Sequence, residues 1–301
     1  MADAHSAHVP TQVRDFKVQK PDRILTLSCE DRPGIVHAVS GVLYRHGCNI
    51  LESAQFSDPR DGRFFMRVAF AAGEGFDKAA FRREFDGVAG TFRMEWHAIE
   101  AAAPARVLLM VSRFGHCLND LLFRQATGNL NIEIPAIVSN HRDFEALARS
   151  YDIPFHHLPV TPANKAEQEA RLLEIVAETR SSLVVLARYM QVLSNDLCRA
   201  LDGRAINIHH SFLPSFKGAK PYHQAYDRGV KLIGATAHYV TPDLDEGPII
   251  DQDVGRADHS LAPDDLVSVG RDIEAVVLAR ALRLHVERRV MLAGRRTVIF
   301  R

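Results

Sequence analysis

Two different rhythms of strands and helices, separated by a short segment of small residues, constrain the fold of this chain most. In the first part the pattern reads strand, helix, strand, strand, helix, strand, beginning with RILTLSC at residues 23–29 and IVHAVSGVLYRHG at residues 35–47. The last strand of this part is predicted in TFRMEWHAI, residues 91–99. A βαββαβ order folds as a ferredoxin-like sandwich, in which two helices cover one face of four antiparallel strands.

After residue 105 the pattern changes to a regular alternation of apolar strands and helices. Strands at residues 107–111 and 183–186 are apolar on both faces, as strands buried between two layers of helices must be. This pattern predicts a doubly wound, mostly parallel, Rossmann-like α/β domain, with a final helix at residues 264–294 packed on its sheet. The predicted boundaries are a disordered leader at 1–20, the ferredoxin-like domain at 21–99, a linker at 100–105 and the α/β domain at 106–301.

The charge balance and the cysteines exclude several classes of protein. The chain has 37 Lys and Arg against 37 Asp and Glu, so no strong field attracts nucleic acid or an anionic membrane, and a small-molecule partner is expected. No apolar run approaches the ~20 residues of a membrane span. The four cysteines form no C-x-x-C pair, which predicts reduced thiols and a cytoplasmic location.

The chemistry is predicted where the strand at residues 205–207 ends, in NIHHSFLPSFKG. Asn207 and His209 are two residues apart on an extended segment, so their side chains project to the same side. An amide and an imidazole together stabilise a developing oxyanion and deliver a proton, while a carboxylate takes a proton from water. The best carboxylate candidate is Asp245, in a loop between two later strands that returns to the same sheet edge.

The segments NIHHSFLPSFKG and GATAHYVTPDLDEGPII resemble the formyl-transfer and formyl-hydrolysis enzymes that use formyltetrahydrofolate. The resemblance implies that Asn207, His209 and Asp245 are the catalytic amide, imidazole and carboxylate, and that His238 is a supporting histidine on the preceding strand. In the mechanism that follows, water attacks the formyl carbon. Asp245 orients and deprotonates the water, Asn207 and His209 stabilise the oxyanion, and protonated His209 helps the folate nitrogen to leave.

Two further segments bear on the substrates. LARYMQVL resembles the folate-binding loop of the family, which implies that the main chain of Met190, Gln191, Val192 and Leu193 meets the pterin ring; Gln191 stands where glycinamide ribonucleotide formyltransferase has arginine. SRFGHCLNDLL stands where that enzyme has a Gly-Ser-Asn loop that holds a phosphate. Phe114 and His116 make this stretch bulkier, so water is the expected acceptor.

The first domain, with DRPGIV at its first strand-helix turn, resembles an ACT regulatory domain. This resemblance implies a candidate effector site at Asp31, Arg32, Pro33 and Gly34 for an amino acid such as glycine, and a homo-oligomer, either a dimer or a tetramer. The order of the two domains is similar to that in the formyltetrahydrofolate deformylase family. The alternative to an effector site is that DRPG is only a turn that leads into a helix.

The resemblance therefore implies hydrolysis of 10-formyltetrahydrofolate to tetrahydrofolate and formate, which would supply purine synthesis and balance one-carbon pools. No permanently bound cofactor and no metal are expected. The open alternatives are a formyltransferase to an amine and a non-catalytic folate or amino-acid sensor. A metal site is a less favoured alternative for four histidines, His209, His210, His223 and His238. Gating of the site or binding of the folate glutamate tail is a less favoured alternative for Lys217, Lys220 and Tyr222.

Overall fold

A computed structural model describes residues 19–213 and 221–301. The predicted leader lies outside these ranges except for its last two residues, and Lys217 and Lys220 lie outside them as well. Within the described ranges, no helix is long and apolar enough to cross a membrane.

The first domain is the predicted ferredoxin-like sandwich. Its elements are β1 Arg23–Glu30, α1 Ile35–Arg45, β2 Asn49–Asp58, β3 Arg63–Ala71, α2 Lys78–Phe92 and β4 Glu95–Glu100. The antiparallel sheet has the order β2-β3-β1-β4. The helices bury an apolar stripe, for example Val39 and Phe85, against the inward side chains of the sheet, such as Leu25 and Leu27. The start of the last strand was predicted wrongly, because α2 continues to Phe92 and ends only where Arg93 adopts a left-handed conformation with φ 51°.

The second domain is the predicted doubly wound α/β fold. Its elements are β5 Ala105–Val111, α3 His116–Ala126, β6 Ile132–Glu133, β7 Ile137–Ser139, α4 Glu145–Ser150, β8 Phe155–His157, α5 Lys165–Glu178, β9 Leu183–Leu186, α6 Asn195–Ala200, β10 Ala205–His209, α7 Pro221–Asp227, β11 Leu232–Tyr239, β12 Ile249–Arg256 and α8 Pro263–Val286. The central sheet has the order β12-β11-β10-β9-β5-β7-β8. Its strands are parallel from β10 to β8, whereas β11 and β12 are antiparallel to their neighbours.

Three boundaries differ from the predictions. The segment between the domains is residues 101–104, shorter than the predicted 100–105, because β4 includes Glu100 and β5 begins at Ala105. The alternation of strands and helices also predicts one strand over IEIPAIVS, residues 132–139. The structure has two short strands there, β6 and β7, on either side of Pro135, which has no N–H to donate to a ladder. The predicted strand at residues 205–207 continues to His209, so that both candidate side chains lie on it.

The last part of the chain was predicted wrongly as helix. α8 ends at Val286 and a hairpin follows, made of β13 Val290–Ala293 and β14 Arg296–Ile299 around Gly294, whose φ is 61°. Ala293 and Phe300 bury Phe65 of β3, so the chain terminus packs on the sheet face that α1 and α2 leave uncovered. The two domains are also joined by ion pairs, such as Arg289 with Glu52 at 2.8 Å.

Candidate active site

Two neighbouring strands and one loop bring the four predicted chemical side chains together. Asn207 and His209 lie on β10, and the antiparallel pairing of β10 with β11 places His238 opposite Asn207. The loop after β11 returns Asp245 to the same place, so its Oδ2 lies 3.2 Å from Nδ1 of His209 and its Oδ1 lies 3.7 Å from Nε2 of His238. The proximity predicted from the sequence is present; the roles of these side chains stay a prediction.

The loop that carries Asp245 approaches β11 as closely as a backbone can. Asp245 itself is left-handed, with φ 57°. Gly247 lies against the strand, and a Cβ atom there would sit 1.7 Å from the carbonyl oxygen of Tyr239. The N–H of Tyr239 donates to the carbonyl of Pro248 at 2.9 Å. Only glycine allows this approach, and the approach sets the position of the carboxylate.

Hydrogen bonds fix the ring of His238. Its Nδ1 lies 2.9 Å from the carbonyl oxygen of Tyr239, and because a carbonyl only accepts, Nδ1 carries the proton. In the neutral ring Nε2 is then an acceptor, and Nδ2 of Asn207 lies 3.3 Å from it. One N–H of the amide is held by His238, and the second N–H of the same nitrogen is left for another acceptor.

The electrostatics of the cluster favour an ionised carboxylate. Burial raises the pKa of Asp245, but the neighbouring imidazoles of His209 and His238 outweigh this effect and hold the pKa well below its usual range. His209 is 5% exposed, and its Nε2 atom is buried without a hydrogen-bond partner among the residues of the described ranges. A buried polar atom without a partner is costly, so this nitrogen is a group that a bound substrate would satisfy.

A cavity of about 590 Å³ opens beside the cluster. Asn207, His209, His238 and Asp245 line it together with the predicted folate loop, residues 190–193. Met190 and Val192 of that loop are 49% and 59% exposed, although both are large and apolar. The volume is in the range that accommodates a ligand of drug size, and the exposed apolar side chains suit a flat ring system.

A second group of polar side chains lines the same cavity and was not predicted. Glu274 of α8 is 1% exposed; its Oε1 accepts from the hydroxyl of Tyr222 at 2.7 Å, and its Oε2 lies 2.7 Å from Nε2 of His116 and 3.3 Å from Nε of Arg188. Burial raises the pKa of Glu274, but His116, Arg188 and Tyr222 outweigh burial and lower it. Two signals pointed to this group: an acidic residue inside an apolar helical stretch, and an arginine just after a buried strand.

The other histidines of the cavity differ in their setting. Burial, Arg188 and His209 lower the pKa of His210 to about 4, so this ring is neutral near pH 7. His223 also lines the cavity. In the described ranges, candidate metal-ligand atoms lie within 4.8 Å of one another at His116, Cys117 and Glu274. The four histidines considered as ligands in the sequence analysis do not form such a group within those ranges. Burial raises the pKa of the Cys117 thiol well above its usual value, and Arg188 is already paired with Glu274, so this group favours a proton network over a cation.

The candidate effector loop of the first domain is exposed throughout, from Asp31 to Gly34. Gly34 has φ 95° and precedes α1 without a side-chain cap. Arg32 donates to the carbonyl of Thr91 and its guanidinium lies 4.6 Å from the centre of the Phe92 ring. Its charge is therefore directed toward the end of α2, and the effector role of this loop stays a prediction.

Comparison with known proteins agrees with this architecture. Two family profiles match the chain, Formyl transferase over residues 105–282 and ACT domain over residues 23–79. A formyltetrahydrofolate deformylase of Corynebacterium sp. (strain P-1) is 54% identical over 279 residues, which cover 92% of this chain and 98% of that protein.

Solved structures give the same result. Formyltetrahydrofolate deformylase from Burkholderia mallei ATCC 23344 is 54% identical and superimposes with a TM-score of 0.90. The match covers 93% of this chain and 100% of that one. Glycinamide ribonucleotide transformylase 1 from Symbiobacterium toebii has a TM-score of 0.62 and 30% identity, covering 66% of this chain and 95% of that one. Fold and site thus define a formyl transferase domain that follows an ACT domain. Within that class, the chain belongs to the formyltetrahydrofolate deformylase family.

Proposed function

We propose that this protein is a hydrolase that converts 10-formyltetrahydrofolate and water to tetrahydrofolate and formate. The observation that carries the proposal is the cluster of Asn207, His209, His238 and Asp245 beside a cavity of about 590 Å³, in a chain 54% identical to a formyltetrahydrofolate deformylase. The formate would supply purine synthesis, and the hydrolysis would balance the one-carbon pools.

The proposed reaction begins when water attacks the formyl carbon. The new O–C bond forms as the carbonyl electrons move to oxygen, and Asp245 takes one proton from the water. The unengaged N–H of Asn207 and a protonated Nε2 of His209 stabilise the oxyanion. The intermediate then collapses, the C–N bond breaks, and the departing folate nitrogen takes the proton of His209.

The site is then reset through water. After one turnover Asp245 carries a proton and Nε2 of His209 has lost one, whereas Nδ1, which lies 3.2 Å from Oδ2 of Asp245, keeps its proton. The low pKa of Asp245 favours release of its proton to water, and Nε2 takes a proton from water. His238 acts as a positioning residue, because its Nε2 holds the amide of Asn207 in one orientation.

The proposal also covers the binding of substrate and effector, the assembly of the protein and its location. The loop at residues 190–193 would bind the pterin ring of the folate, which is substrate; no resident cofactor or metal is proposed. The ACT domain would bind an amino acid such as glycine at residues 31–34, and the protein would assemble as a homodimer or homotetramer. All four cysteines are unpaired, which supports a cytoplasmic location.

The test is formate release from 10-formyltetrahydrofolate without added amine or metal. We expect rapid release by the purified protein and a loss of about 100- to 10,000-fold in Asp245→Asn and in His209→Ala, the usual effect of removing an acid-base group. Asp243→Asn is the matched control, since Asp243 lies exposed on the same loop. Formate release that persists in both site variants would place the chemistry elsewhere.

A further inference from the structure

The sheet has a switch point at which a ligand crevice is expected, and bulky and charged side chains of this chain line it. From β5 the chain proceeds to β7 and β8 on one side, and later returns to form β9 on the other side of β5. In doubly wound sheets, small molecules bind at such a switch point, beyond the carboxyl ends of the strands. Here Phe114 and His116 follow β5, and Arg188 follows β9.

Arg188 is held firmly in this crevice. It is 8% exposed and left-handed, with φ 67°. Its carbonyl accepts from the N–H of Ser112 at 3.2 Å, and the hydroxyl of Ser112 accepts from the N–H of Met190 at 2.9 Å. The guanidinium lies 5.4 Å from the centre of the Phe114 ring. An arginine in a strained backbone conformation, tied to the neighbouring strand on both sides, is a fixed obstacle rather than a mobile surface side chain.

Glu274 anchors the obstacle from α8. The carboxylate contacts Arg188, His116 and Tyr222, at distances of 3.3, 2.7 and 2.7 Å. The ring of Tyr222 packs directly on α8 because residue 270, one turn earlier, is glycine; a Cβ atom there would lie 2.1 Å from the ring. The charges in this part of the crevice are thus balanced by the protein itself.

These side chains border the reaction site. Arg188, Phe114 and Glu274 line the same cavity as Asn207 and the rest of the cluster. The ring of His210 lies between the two groups, 5.1 Å from the ring of His209 and 6.3 Å from that of Tyr222. A formyl group bound at Asn207 and His209 would therefore have these side chains as its neighbours.

We propose that the Arg188–Glu274 pair, with Phe114 and His116, determines the acceptor by excluding any amine, so that water alone reaches the formyl carbon. This inference rests on the proposed hydrolysis and deepens it. With an amine in place of water, a new C–N bond would form to the amine, the C–N bond to folate would break, and the amine proton would pass to the folate nitrogen. Water needs little room beside the formyl group, whereas the substituents of an amine bound there would meet Arg188 and Phe114.

The test is the partition of the formyl group between water and glycinamide, a small primary amine. Arg188→Gly removes the obstacle, and glycine suits the left-handed backbone, so the variant is expected to fold. Arg180→Gly is the matched control, because Arg180 is left-handed too, with φ 49°, and exposed. Phe114→Ala is a second, independent variant, since Phe114 is 41% exposed and its loss costs little burial.

Formate and N-formylglycinamide are measured together by mass spectrometry, with an enzyme-free blank. Wild type and Arg180→Gly should give formate alone at every amine concentration. In Arg188→Gly and Phe114→Ala the ratio of formylated amine to formate should be at least about tenfold above the smallest ratio that the assay detects, the low end of what a binding pocket discriminates.

Two results would overturn the acceptor role. One is formate as sole product of both variants while they still turn over. The other is loss of all turnover in folded variants, since Arg188 and Phe114 would then be needed for the hydrolysis itself and not for the exclusion of amines. Absence of formate from wild type without amine would instead remove the proposed function, and the two failures are therefore distinguishable.

Discussion

Gly247→Ala is the change whose effect is best worked out from the structure. The new Cβ atom would lie 1.7 Å from the carbonyl oxygen of Tyr239, and real Cβ contacts essentially never fall below 3.0 Å. The loop must therefore retreat by about 1.3 Å, the difference between these two distances. It cannot do so at the side of β11 without stretching the hydrogen bond between Tyr239 and Pro248.

Asp245 is two residues from this point and moves with the loop. Its 3.2 Å contact with His209 would lengthen beyond hydrogen-bonding distance. A displacement of about 1 Å in a catalytic group can cost about 100-fold in rate, or about 2.7 kcal/mol in the barrier. The hydrogen bonds that depress the pKa of Asp245 would also weaken, so its pKa should rise toward the ordinary value.

The assay is kcat/KM for formate release, with urea unfolding as the check on folding. Gly90→Ala is the control: a Cβ atom at Gly90, in α2 of the other domain, has no neighbour within 4 Å. We expect about a 100-fold loss in Gly247→Ala and none in Gly90→Ala. The reasoning is refuted if Gly247→Ala retains kcat/KM within about threefold of wild type.

Two further predictions concern stability. Burial lowers the pKa of His285 from 6.5 to about 4, so below about pH 6.5 the unfolded chain binds the proton more readily, and unfolding should become easier by about 2 kcal/mol between about pH 7 and pH 5. In urea titrations His285→Gln should reduce the pH dependence of the free energy of unfolding by this amount, while His210, whose pKa is also about 4, keeps its own contribution. Exposed His37→Gln should leave the pH dependence unchanged. An unchanged pH dependence in His285→Gln contradicts the assignment. Glu52 pairs with Arg67 of its own domain at 3.0 Å and with Arg289 of the other at 2.8 Å. Glu52→Gln should therefore lower the free energy of unfolding by about 1 kcal/mol, a modest value because Glu52 is 38% exposed; an unshifted urea midpoint would mean that the pair adds nothing.

Local patterns predicted most of the fold. The apolar strands at 107–111 and 183–186 had only one stable environment, between two layers of helices, and the sheet places them there as neighbours. The helix end at Phe92 and the hairpin at 290–299 were not predictable in the same way. Arg93 takes a left-handed conformation without being glycine, and the hairpin is formed where Phe65 of a distant strand offers an apolar face.

The candidate site was predictable in part for a similar reason. Alternation along one strand places Asn207 and His209 on the same side, so their proximity is local information. The proximity of Asp245 was inferred from the return of a loop to the same sheet edge. Arg188 and Glu274 are 86 positions apart in the sequence. Their contact depends on how α8 packs on the sheet, which no local pattern encodes.

The sequence by itself thus determined the two domain types, the candidate reactive side chains and the family resemblance, because each of these depends on residue type and short-range spacing. The tertiary structure alone decided which nitrogen of His209 faces Asp245 and which has no partner among the described residues. It also decided that an arginine and a buried carboxylate line the crevice beside the site. These are consequences of packing between elements far apart in the chain, where distances of a few tenths of an ångström decide protonation and access.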